Sequence, residues 1–148
     1  MSKTGDTRNN YPDIFSAKLH KNMKTSNIAV INKGICGDIL IDKGIKRYAH
    51  DVLNIKGVKY IVVLYGVNDL ILNKSSSQII SSYNSIIKLA HKKNLYIYSG
   101  TILPFSEIKY KYLWNKKKER MRMKLMNGLE GQNLIKEDLM HFLIMIKN

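Results

Sequence analysis

Two short apolar runs constrain this chain more than any other feature. NIAVIN (residues 27–32) and YIVVLY (60–65) are rich in β-branched residues, and each stops at a polar turn bearing glycine, KGICGD and GVND. An apolar run that does not alternate with polar residues is the pattern of a strand covered on both faces, as in a parallel sheet. A third run, LYIYSGTI (95–102), ends before Pro104 and predicts another such strand.

Helical patterns separate these runs. Pro12 sits where a first helical turn tolerates it, and Ile14, Phe15 and Leu19 follow on one side, so a helix is expected from Tyr11 to about Met23. A second helix is expected from Asp42 to Leu53, ending before Gly57. The serines at 75–77 can cap a third, in which Ile79, Ile80, Tyr83, Ile86, Ile87 and Ala90 keep helical spacing. Residues 109–126 read as a fourth, very basic helix. Strands alternating with helices predict an α/β class: a three-layer α/β/α, flavodoxin-like parallel sheet with helices on both faces. Sites in such sheets lie at the carboxyl ends of the strands, which puts KGICGD and YGVND on one edge.

With 148 residues the chain suffices for one domain, expected to span 1–148. Its single cysteine, Cys36, precludes an internal disulfide or a cysteine-based zinc site, and four scattered histidines show no paired ligand spacing, so a structural metal is not expected. The N-terminus is polar and no stretch approaches the ~18 apolar residues of a membrane span, so the chain as written reads as soluble and cytoplasmic. The net charge of +14 raises nucleic-acid binding, but only four of the 25 basic residues are arginines, and the richness in Lys, Ile and Asn is what AT-rich coding produces without a ligand. Nucleic acid is therefore not the expected partner. The alternative reading is a non-catalytic domain binding RNA or an acidic surface through the basic 109–124 segment, with Tyr110, Tyr112 and Trp114 as stacking groups.

Gly37, after a strand, can let a backbone N–H approach a ligand, and Asn68 can aim an amide at the same space. Two preorganised donors at one point suit an oxyanion, the species formed when a nucleophile attacks an ester carbonyl. GICG is neither of the usual phosphate-binding glycine patterns.

VINKGICGDIL followed by GVKYIVVLYGVNDL resembles the second and third conserved blocks of the SGNH, or GDSL-type, serine esterases and acyl hydrolases. TRNNYPDIFSAKL is similar to a helix start found in a bacterial branch of that family, and the likeness covers about residues 4–105, with 106–148 divergent. The resemblance implies a cofactor-free hydrolase of small esters or acylated carbohydrates, with Gly37 and Asn68 forming the oxyanion hole. It also implies a serine in a Gly-Asp-Ser block after the first strand, and a late Asp-x-x-His as orienting acid and base.

Here the chain departs from the pattern. No Gly-Asp-Ser is present; Gly5-Asp6-Thr7 follows no apolar strand and lies too near Pro12, so Thr7 is not read as a nucleophile. The resemblance sets Met1 several residues beyond the missing serine, and the missing first strand would belong between 27–32 and 60–65, leaving two unpaired edges. Asp138 and His141 have the Asp-x-x-His spacing, yet Phe142 stands where the family has proline. Leu134, Ile135, Leu139, Phe142, Leu143 and Ile146 could form one face of a helix, so His141 is not expected to work in a dyad.

Overall fold

The computed structural model describes residues 10–104 and 114–134. The contacts divide the chain into two compact units, residues 1–36 with 137–148, and residues 37–136.

The first unit contains helix α1 (Tyr11–His20), shorter than the expected span. Its start follows from Asn10, whose side chain accepts from the Asp13 N–H at 3.1 Å, with proline in the first turn. None of its residues is buried. Residues 27–32, expected as a strand, form none; Ile31 is 57 % exposed. Apolar β-branched residues make a strand only where a neighbouring edge accepts their hydrogen bonds, and among the described residues β1 and β2 pair with each other alone.

The second unit is a small α/β assembly. Strands β1 (Tyr60–Val63) and β2 (Tyr96–Ser99) pair in parallel, Tyr60 opposite Tyr96 and Val63 opposite Ser99, and theirs is the one ladder among the described residues. The chain enters the sheet through α2, built of a π-helical turn (Leu40–Gly44), an α-helical segment (Ile45–Tyr48) and a second π-helical turn (Ala49–Leu53). After β1 come α3 (Val67–Ile71) and α4 (Ser76–Lys92), and after β2 comes α5 (Lys116–Glu130).

Helix α4 is the spine of this unit, packed against α2, α5 and β2. It starts with a capping box: Ser75 accepts from the Gln78 N–H, and the Gln78 side chain accepts from the Ser75 N–H. Its Ile79, Tyr83, Ile86 and Ala90 are all buried, one stripe at helical spacing. Ile61, Val63, Ile97 and Ser99 bury one face of the sheet, while on the other the Tyr60 and Tyr96 rings stack at 5.4 Å, each more than half exposed, beside exposed Leu64.

Helix α5 begins later than expected because Asn115 caps it, accepting from the Lys118 N–H at 3.0 Å; residues 109–113 lie outside the described residues. Leu125, Met126 and Leu129 carry its buried side. Among the described residues, no helix is long and apolar enough to cross a membrane.

Candidate functional site

The two glycine-bearing turns meet at the carboxyl end of β1. Gly66 opens the second turn at φ +108°, and a Cβ there would lie 2.8 Å from Ile102 Cδ1 and 3.0 Å from Leu125 Cδ2. Only glycine meets both demands, the left-handed backbone and the close approach of two core side chains. The chain then folds at once into α3, with the Leu70 N–H donating to the Gly66 carbonyl at 2.9 Å. Asn68 and Asp69 thereby reach the first turn, side by side.

These two residues divide the work. Asp69 is fully buried, and its carboxylate oxygens accept from the N–H groups of Leu40 and Ile41, each at 3.1 Å. Those are donors at the start of α2 that no earlier turn can satisfy, so a residue 28 positions downstream caps the helix. Asn68 is half-buried, and its Nδ2 donates to the Asp38 carbonyl at 2.8 Å. The Asn68 amide is thus tied to the residue directly after Gly37.

Gly37 is exposed, with φ +77° and open space where a Cβ would stand. No hydrogen bond engages its N–H among the described residues. The structure therefore brings Gly37 and Asn68 to one edge of the unit. Asp138, His141 and Thr7 lie outside the described residues.

A charged cluster not anticipated from sequence lies behind the loop. The Asp38 side chain is 4 % exposed, and its Oδ2 accepts from Arg47 Nε at 2.9 Å and from the Tyr65 hydroxyl at 2.6 Å. Arg47 also donates from Nη1 to Asp51 Oδ2 at 2.6 Å and from Nη2 to the Tyr65 hydroxyl at 2.9 Å. Burial alone would push the Asp38 carboxyl up, but the hydrogen bonds from Tyr65 and Arg47 outweigh it and hold it below its ordinary value. Burial, then the bond to Asp38, pushes the Tyr65 phenol up to about 12. At neutral pH the cluster therefore holds an ionised Asp38, a cationic Arg47 and a protonated Tyr65. The one sequence signal for it was the Arg47/Asp51 pair one helical turn apart; Asp38 and Tyr65 join only through the fold.

The basic helix is partly committed to the core. Lys118 is buried and its Nζ donates to the Ile71 carbonyl at 2.8 Å; Arg122 donates to the Ile102 carbonyl at 2.9 Å and pairs with Glu119. Trp114 is buried, its Nε1 donating to Glu119 at 2.9 Å. Among the described residues, no group of three or more His, Cys, Asp or Glu side chains could hold a metal ion. An open cleft of about 940 Å³ lies away from Gly37 and Asn68, at the far end of α4, lined by Ile87, Lys88, His91, Lys92, Ile97 and Leu134 among others.

No protein-family model matches the chain, and no curated protein sequence matches it.

Proposed function

We propose that this chain is an SGNH-type ester hydrolase domain whose oxyanion donors are the Gly37 N–H and the Asn68 side-chain amide. On this reading the sheet belongs to a three-layer flavodoxin-like arrangement lacking its first strand, and the substrate is a small ester or an acylated carbohydrate. One observation carries it. The Asn68 Nδ2 bond to the Asp38 carbonyl joins the two turns whose residues resemble the family's blocks, next to a Gly37 N–H with no bond among the described residues. Fixed donors of this kind stabilise charge that develops on an attacked carbonyl oxygen.

They act only on charge that a nucleophile generates, and the written sequence offers no Gly-Asp-Ser. The expected result is little turnover of a p-nitrophenyl ester by the 148-residue chain. A version extended at its N-terminus by an apolar strand ending in Gly-Asp-Ser gains the nucleophile but, with His141 not expected to act as base, is expected to turn the ester over only slowly, with Asn68→Ala reducing that slow rate about 10²–10³-fold. Robust turnover by the unextended chain, or a folded extended form that stays inactive, would overturn the proposal. Binding to RNA through α5 is the weaker reading, because Lys118, Arg122 and Trp114 spend their donors on the protein itself.

A further inference from the structure

We propose that Asp38, Arg47 and Tyr65 are positioning residues for the Gly37 and Asn68 donors: guanidinium and phenol hold the Asp38 carboxylate, which fixes the peptide whose carbonyl holds the Asn68 amide. The role assigned to the cluster rests on the oxyanion reading; its geometry does not.

Three features support it. Asp38 engages through both ends, its carboxylate facing Arg47 and Tyr65 and its carbonyl facing Asn68, so a displacement of the side chain is passed to the amide through a single residue. The groups that hold it are rigidly mounted. The Tyr65 backbone is clamped by the Tyr83 hydroxyl, which accepts from the Tyr65 N–H at 3.3 Å and lies 3.2 Å from the Tyr65 carbonyl, to which it donates. The Tyr65 ring lies against Gly44, where a Cβ would come within 3.0 Å of Cζ. Arg47 is braced by Asp51 one turn along α2. Finally, Asp69 caps the Leu40 and Ile41 N–H groups and Asp38 Oδ1 accepts from the Ile39 N–H at 3.0 Å, so neither cap requires Arg47 or Tyr65. A buried pair is poor value for stability alone, since desolvation offsets most of its attraction.

The test uses the ¹⁵N-labelled 148-residue chain and the NMR signals of the Gly37 N–H and the Asn68 side-chain amide. Tyr65→Phe, which keeps the ring, and Arg47→Lys are each expected to shift both signals and to speed Asn68 amide exchange roughly ten-fold, the loss of one charge-assisted hydrogen bond. The Leu40 and Ile41 N–H signals, held by Asp69, stay in place, and the exposed control Lys46→Ala moves none of them. Unmoved Gly37 and Asn68 signals in Tyr65→Phe overturn the proposal, as does an equal movement of Leu40 and Ile41, which would mean general loosening. If Arg47→Lys does not fold, Tyr65→Phe decides alone. Titrating the wild type with methylphosphonate separates the two readings. Saturable shifts at Gly37 and Asn68 support both, whereas a flat titration with signals that still move in Tyr65→Phe removes the oxyanion role and leaves the positioning.

Discussion

Asp69→Ala is expected to be the most damaging single change at the joined turns. The carboxylate is fully buried and accepts from two backbone donors at 3.1 Å, so the alanine variant leaves the Leu40 and Ile41 N–H groups without a partner at the start of α2. A hydrogen bond to a charged group contributes about 1.5–3 kcal/mol, and a buried donor left unpaired costs a similar amount. Two of them give roughly 3–6 kcal/mol, against a total stability of about 5–15 kcal/mol for a domain of this size. Asp69→Asn keeps one acceptor oxygen and turns an NH₂ toward the other donor, so it should lose about half as much. The assay is urea unfolding followed by fluorescence of Trp114, the chain's one tryptophan, which is buried against Glu119 in the same unit. The midpoint should fall sharply with the slope unchanged, while the exposed control Ser85→Ala leaves it in place. A loss below about 1 kcal/mol for Asp69→Ala would refute the assignment of Asp69 as the cap of α2.

Two further outcomes follow from the same region. Gly66→Ala combines a left-handed backbone with a Cβ 2.8 Å from Ile102 Cδ1, so it should cost about 2–3 kcal/mol and lower the melting midpoint by several degrees; an unchanged midpoint would refute the packing argument. Asp38 has a folded-state pKa below its unfolded value, so its contribution is complete above the unfolded value of about 4 and disappears as pH falls through the folded one. The stability gap between wild type and Asp38→Asn should therefore be full at pH 7 and close in acid below about pH 4, and a gap independent of pH would count against the ion pair.

What could be read in the sequence follows from how local each determinant is. Helix α4 was legible because the capping serines at 75–77 and the stripe from Ile79 to Ala90 lie within one segment and act within it, although Gln78, the other half of the cap, was not singled out. The centres of β1 and β2 were legible for the same reason, their ends less so. Residues 27–32 misled because their composition suits a strand while pairing depends on an edge elsewhere. Gly37 and Asn68 stood out as types able to offer donors, and the turns that carry them do meet. The neighbouring aspartate, Asp69, was passed over, since its partners lie 28 and 29 residues upstream. Separations of 9, 18 and 27 residues hid Asp38, Arg47 and Tyr65 as a group. A run of lysines likewise cannot reveal that Lys118 will reach a carbonyl of another helix.

The π-helical turns of α2 bear on how this protein can change over time. Its buried positions, Leu40, Gly44, Tyr48 and Leu53, fall four, four and five residues apart, a wider stride than an α-helix keeps. At the ordinary ~100° per residue, Leu53 would lie on roughly the opposite side from Leu40. The slower winding gathers all four onto one face, so the helix is matched to its neighbours by its length as much as by its residues. Substitutions on the outward face, such as those at Lys43 or Lys46, leave that match intact. Loss of one residue anywhere between 40 and 53 would let the segment relax toward ordinary winding, still helical, with either Asp69's partners at its start or Leu53 at its end turned out of register.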